Sequence, residues 1–271
     1  MRLRSTLTVL EREFATLYRT RTLLALGVLF VLLLISLGGA AVGAPGGYLS
    51  LTLDLLMPIE LLVPVLAFAF IYRSIQGDAD RGELDVLRTY PISRVEYVLG
   101  VYLGRLTGLW LVLLVGLVLA GLLSTFGSSE PVSFLATHAA GDAPLVYIRF
   151  MVATVLYTAV VASLAVAASA LAGTTRSVLA LSIGLVLLLS VGLDLLVVGL
   201  LSNDVGGEGI WFVLGLTPAS AFRGLVLETA VGPALADPGA VAAASPLVSL
   251  FGFGLWTVVG LGTAVFGVWR R

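Results

Sequence analysis

The sequence has no cysteine and no lysine, one histidine among 271 residues, and only 11% charged residues. Without cysteine there are no disulfides, no thiolate metal sites and no cysteine nucleophile, and the redox compartment is left open. Without lysine there is no Walker A loop, whose lysine neutralises nucleotide phosphates, and no Schiff-base chemistry. All 15 positive charges are arginine, so if ATP drives this protein another subunit binds it. His138 stands alone, and neither Gly-x-Ser-x-Gly nor His-Glu-x-x-His occurs; no catalytic residue and no metal site is expected. What is abundant is apolar: 59% of residues are hydrophobic, which excludes a soluble globular domain.

About 20 apolar residues cross a hydrocarbon layer, and six stretches reach that length: Leu23–Val42, Leu49–Tyr72, Tyr97–Leu123, Leu145–Leu171, Ser177–Leu200 and Leu247–Val268. The first is too long for a signal peptide and follows a charged leader, so it is read as a span. Arginine placement predicts orientation, since positive charge gathers at cytoplasmic span ends. Arg2, Arg4, Arg12, Arg19, Arg21, Arg73, Arg81, Arg88, Arg94, Arg176, Arg270 and Arg271 fall on one side. Arg223, in the outer loop 201–246, and Arg149, near the outer end of span four, are the exceptions. Both termini are therefore expected in the cytoplasm. The fold class expected is an all-α integral membrane protein with six transmembrane helices in one domain, plus an interfacial helix over residues 1–22 and a cytoplasmic coupling segment over 73–96.

The leader places Leu3, Leu7, Leu10, Phe14 and Leu17 on one helical face, which Arg2, Arg4, Arg12, Glu13 and Arg19 avoid. This predicts an amphipathic helix in the headgroup plane with its leucines in lipid; the alternative is a mere topology signal. The connection after span two is the densest charge cluster in the chain. Leu84, Val86, Leu87 and Tyr90 interrupt its charge, a pattern suited to docking in a groove on a partner. Span three then starts sharply. Ser93 and Glu96 fit a capping box, Ile92 and Tyr97 fit the flanking hydrophobic staple, and Pro91 stops the preceding helix. Gly100, Gly104 and Gly108 recur every fourth residue, a face on which another helix can approach closely.

The run Gly77-Asp78, Gly82-Glu83-Leu84, Tyr90-Pro91-Ile92-Ser93-Arg94 and Leu99-Gly100 resembles the coupling segment of ABC-2 type permeases. Asp194-Leu195-Leu196, Trp211 to Pro218 and Ala221-Phe222-Arg223 extend the resemblance to the permeases of Nos-type ABC transporters, which serve nitrous oxide reductase maturation. Those proteins usually have Gly-Thr-Leu at Gly82-Glu83-Leu84, Gly-Lys at Gly100-Val101 and Asn-Pro at Thr217-Pro218. The resemblance implies a homodimer in the plasma membrane, two ATPase subunits that carry ATP and Mg, contact with lipid, an extracytoplasmic Nos-type accessory protein, and no nucleic acid. It implies ATPase contact through Asp78, Asp80, Arg81, Gly82, Glu83, Leu84, Leu87, Arg88, Tyr90, Pro91 and Arg94. A copper cargo is the obvious guess for such a system, yet His138, Met57 and Met151 cannot build a soft-metal path. A sulfur-containing species, suggested by the resemblance, or mechanical drive to an external partner is expected instead.

Within the spans, Glu60 lies about 16 Å deep by helical rise, near the bilayer middle, flanked by Pro58 and Pro64 where a bend is expected. A carboxylate there needs a partner, a cavity or water. Glu60 is either a pathway or dimer-interface residue or the partner of a neighbouring helix. Asp194, the second such candidate, and Asp54 lie near outer span ends, where interfacial solvation also accounts for them. Arg105 is expected to snorkel to the headgroups. The stretches Ile210–Leu216 and Ala219–Leu227 are too short to span and either meet an external partner or cap the chain's own helices. A passive channel would need polar stripes along several spans, which are lacking; an ABC-2 exporter of an unrelated drug, ion or lipid stays open.

Overall fold

The computed structural model describes residues 3–40, 47–126, 144–193, 195, 199, 214–235 and 245–269. Asp194, His138 and Trp211 lie outside them. The described residues fold into helices: α1 (Leu3–Arg19), α2 (Arg21–Ala40), α3 (Gly47–Ile71), α4 (Ser74–Asp80), α5 (Glu83–Thr89), α6 (Arg94–Ser124), α7 (Pro144–Leu171), α8 (Thr175–Leu187), α9 (Pro218–Val226) and α10 (Pro246–Gly267). Among the described residues, six helices are long and apolar enough to cross a membrane: α2, α3 running on into α4, α6, α7, α8 with the π-helical turn that extends it to Gly192, and α10.

The bundle is built around α7, 72% of whose most apolar window is buried, against 22% for α2 and 17% for α8. Its sequence explains this: Ala153, Ala162, Ser163, Ala165, Ala168 and Ala170 give neighbouring backbones room to approach. A Cβ at Gly260 of α10 would lie 2.6 Å from Ser163 Oγ, and one at Gly267 3.2 Å from Ala170 O, so these two helices touch nearly backbone to backbone and run in the same sense. α6 and α7 are antiparallel and stitched by side chains that reach carbonyls: Tyr102 to Ala159 O at 3.1 Å, Trp110 to Val155 O at 3.1 Å and Tyr147 to Leu117 O at 2.8 Å.

Span two carries Pro58 and Pro64 inside a helix that is nonetheless unbroken. Pro64 has no N–H to give to the carbonyl four residues back, which is that of Glu60. Tyr157 on α7 supplies the missing donor at 3.2 Å. A similar substitution occurs at the break between α3 and α4, where Ser169 Oγ of α7 accepts from the amides of Ile75 and Gln76 at 3.1 and 3.2 Å. Those first-turn amides have no intrahelical partner.

α1 is amphipathic as the sequence predicts, with Leu7 and Tyr18 each 54% exposed. A second face, however, is buried against α6. Thr6, Val9, Glu13 and Leu17 fill the groove made by the three glycines: a Cβ at Gly100 would meet Val9 Cβ at 2.5 Å, one at Gly104 Glu13 Cβ at 2.7 Å, and one at Gly108 Leu17 Cδ1. The matched four-residue steps show that α1 runs along α6 in the same sense. α6, at 31 residues and about 46 Å, outlasts a hydrocarbon layer by about three turns, and α1 lies on its first turns.

Candidate functional site

The start of α6 is fixed by its own sequence. Ser93 Oγ accepts from the Glu96 amide at 3.2 Å and Glu96 Oε2 accepts from the Ser93 amide at 3.1 Å, while Ile92 packs on the core below. This capping box holds Tyr97 and Arg105 against α1 and α4. There, a charge network joins four elements. Arg12 donates to Glu83 Oε2 at 3.0 Å, Glu13 Oε1 at 2.7 Å and Asp78 Oδ2 at 2.5 Å. Arg81 bonds Glu83 Oε1 at 2.5 Å and Asp78 Oδ1 at 2.6 Å, and the Tyr97 hydroxyl donates to Asp78 Oδ2 at 2.7 Å. Arg105 donates to Glu13 Oε2 at 2.8 Å and to the Phe70 carbonyl at 3.1 Å.

Three guanidiniums thus meet three carboxylates. Burial works against the charge of Arg12, but Asp78 and Glu13 outweigh it and hold its guanidinium protonated far above the ordinary range. The hydrogen bond from Arg81 keeps the Glu83 carboxyl below its usual range. Arg105 does not snorkel. Its side chain is 9% exposed because Glu13, which sequence reasoning placed on the polar face of α1, is turned inward to meet it.

The network sits behind the segment expected to meet an ATPase and divides it in two. Asp78 (2% exposed) and Leu84 (4%) point into the protein, and Leu87 is packed on the core, so none of the three forms an outer knob. Asp80, Arg81, Arg88, Tyr90, Pro91 and Arg94 are exposed, and Gly82 and Glu83 half-buried. Gly82 has φ +71°, a left-handed conformation that turns α4 into α5 and that a side chain would strain. The outward edge of α5 adds Val86, 58% exposed, beside Tyr90 at 60%, and Asp85. Arg88 contacts Asp85 at 3.3 Å, the Trp269 ring 5.1 Å from its guanidinium carbon, and the Trp269 carbonyl at 3.4 Å. The end of α10 therefore braces α5, which nothing in the local sequence pattern signals.

Toward the opposite end, α9 is buried along nearly its whole length between α3, α7 and α10, with Phe222 stacked on Tyr157 at 4.8 Å. Arg223 reaches Glu60 with two bonds, Nε to Oε2 at 3.1 Å and Nη2 to Oε1 at 2.5 Å. Glu60 is 6% exposed in its side chain and Arg223 39%. Arg149 of α7 donates to the Thr229 carbonyl at 2.9 Å, and Trp256 of α10 to the Leu216 carbonyl at 2.8 Å. The two arginines that break the one-sided charge pattern are thus the two that pin residues 214–235 onto the spans. That Arg223 is a lone cation in an apolar stretch, and Glu60 the deepest anion of its span, is the one sequence signal that could have paired them.

The match to the ABC-2 family transporter protein extends over residues 7–269. The chain belongs to that family. It is 32% identical over 179 residues to a probable ABC transporter permease protein NosY of Pseudomonas aeruginosa, an alignment covering 63% of this chain and 61% of that relative. A second protein of the same description, from Stutzerimonas stutzeri, is 31% identical over 113 residues, 40% of this chain and 41% of the relative. The chain thus matches less than two thirds of the length of these curated relatives. As a member of that family with six helices long and apolar enough to cross a membrane, it is a multi-pass membrane protein.

Proposed function

We propose that this permease is the membrane half of an ATP-driven transporter, with ATP and Mg held on two ATPase subunits that dock on the outward edge of α5 and the turn after it. The observation that carries this reading is the exposed pair Val86 and Tyr90, flanked by Arg88 and Arg94 and backed by the Arg12–Asp78–Glu83 network. A push on α5 passes through Glu83 and Arg12 to α1, and through Asp78 and Tyr97 to the capped start of α6. A network of charge-assisted bonds transmits such a displacement because its members are held at short, directional distances. Two copies of the chain form the transport unit, with the arginine-rich end in the cytoplasm.

The resemblance to Nos-type permeases and the two relatives named NosY support a role in maturing the copper–sulfur site of nitrous oxide reductase. In this reading the far-end segment 214–235 transmits the stroke to an extracytoplasmic accessory protein or opens a path for a sulfur-containing species. Glu60 and Arg223 then lie on that path or beside it. The test is purification of the tagged chain in mild detergent with identification of what accompanies it. An ATPase together with an external Nos-type protein supports the reading in full. An ATPase without the external protein leaves export of an unrelated small molecule, ion or lipid, and no ATPase overturns the transporter reading. Val86→Asp with Tyr90→Asp is expected to abolish ATPase retention while the helical fold persists.

A further inference from the structure

A polar cavity of about 430 Å³ opens beside the charge network, between α1, the end of α3 and the start of α4. Four guanidiniums line it, of Arg12, Arg73, Arg81 and Arg105, against three carboxylates, of Glu13, Asp78 and Glu83; four minus three leaves one positive charge. The three carboxylates are taken up by Arg12, Arg81 and Arg105. Arg73 is held only loosely among the described residues, by Asp80 at 3.9 Å, and Asp80 already accepts from Gln76 at 2.8 Å and Thr175 at 3.2 Å. Ser74 also lines the cavity. Its hydroxyl is buried, at 3% residue exposure, and has no hydrogen-bond partner among the described residues.

Leu23 and Phe70 border this cavity and also a second one, an apolar groove of about 350 Å³ between α1, α2 and α6. The levels of the two are informative. The polar cavity lies where α2 begins at Arg21 and α3 ends at Ile71, the height of the headgroups. The groove runs inward along α2 as far as Leu32, about 16 Å at helical rise, close to the depth of one lipid leaflet.

We infer that the two cavities together bind one phospholipid of net charge −1, its phosphate on Arg73 and an acyl chain in the groove lined by Phe14, Val28 and Val31. A zwitterionic lipid brings a cation of its own beside the four guanidiniums of the lining, so an anionic lipid such as phosphatidylglycerol is favoured. The lipid would tie α1 to the α2–α3 layer beside the network, and this binding stands whether or not the ATPase reading holds.

The test is native mass spectrometry of the full-length chain, extracted from nanodiscs of dioleoylphosphatidylglycerol and dioleoylphosphatidylcholine in equal amounts. The wild-type chain is expected to retain phosphatidylglycerol over phosphatidylcholine by about fivefold, the size of one arginine–headgroup attraction. Arg73→Gln, at a half-exposed position, is expected to erase the preference. Val28→Trp, on the lipid-facing wall, is expected to fill the groove and reduce retention of both lipids. Circular dichroism confirms that each variant is folded, and Thr22→Val, beside the cavity, replaces any that is not, with a weakened preference expected. Equal retention of both lipids by the wild-type chain, an unchanged preference in Arg73→Gln, or displacement of the lipid by millimolar inorganic phosphate would each overturn the proposal.

Discussion

Among the described residues the permease joins its elements by buried charge in two places, and the two are built differently. At the arginine-rich end, Asp78 is met by Arg12, Arg81 and Tyr97, Glu13 by Arg12 and Arg105, and Glu83 by Arg12 and Arg81. In the other, Arg223 of α9 grips the Glu60 carboxylate of α3 with two bonds. A network in which each carboxylate meets several donors loses one member and keeps its charges paired; a carboxylate gripped by both bonds of one guanidinium loses two bonds and an opposite charge at a single substitution. The first suits a region that must yield and recover, the second a region that must hold one arrangement.

The sharpest way to break this contrast is Arg223→Gln, which removes the guanidinium that grips the buried Glu60 carboxylate with two bonds. The expected loss is about 3 kcal/mol, read from detergent-unfolding midpoints. Glu60→Gln combined with Arg223→Gln removes both charges and is expected to restore more than half of that loss. If the double variant is as unstable as the single one, the pair serves by shape and hydrogen bonding rather than by charge.

Gly104→Ala comes next. Its new methyl would meet the Glu13 Cβ at 2.7 Å and the Leu10 carbonyl oxygen at 2.8 Å. Backbone cannot swing aside, so α1 must lift from α6, and the expected cost is about 2 kcal/mol. Cysteine pairs introduced across α1 and α6, at Thr6 and Val101 for example, should lose their crosslinking in this variant. Retained crosslinking would show that the groove tolerates a methyl and that the glycine stripe is not what seats α1.

How much of this was legible in the sequence follows from the range of the forces involved. The six spans, the capping box at Ser93 and the glycine stripe depend on residues within a few turns of each other, and hydropathy or spacing reveals them. What occupies the stripe was hidden, because Glu13 is a charge on an amphipathic helix and reads as solvent-facing until Arg105 is known to stand opposite. Asp78 and Leu84 read as parts of a docking surface, since in a seven-residue helix no periodicity separates inside from outside. Glu60 and Arg223 are 163 residues apart, and their union needs the packing of α9 between three spans.

Arg12→Gln sharpens the comparison from the other side. Arg12 is 40% exposed in its side chain, and each of its three carboxylates keeps another donor, so the expected loss is about 1 kcal/mol and shrinks further at high salt. The larger effect is expected on coupling: if Arg12 carries displacement from α5 to α1, transport-linked ATP hydrolysis falls while ATPase retention does not. A loss near 3 kcal/mol would mean that the network behaves as a single pair after all, and the contrast with Glu60 would be lost.

The smallest effect expected is that of Gly108→Ala, and it separates two kinds of close contact on one helix face. Its methyl would strike Leu17 Cδ1, the tip of a flexible side chain, rather than backbone. Leu17 borders the apolar groove between α1, α2 and α6, so a rotamer change carries that tip into open space at a cost below about 1 kcal/mol. The displaced methyl then narrows the groove. Gly108→Ala should accordingly leave α1 seated and the unfolding midpoint nearly unchanged while reducing lipid retention, whereas Gly104→Ala should unseat α1 and lower the midpoint. Equal destabilisation by the two would show that the α1–α6 contact is rigid along its whole length.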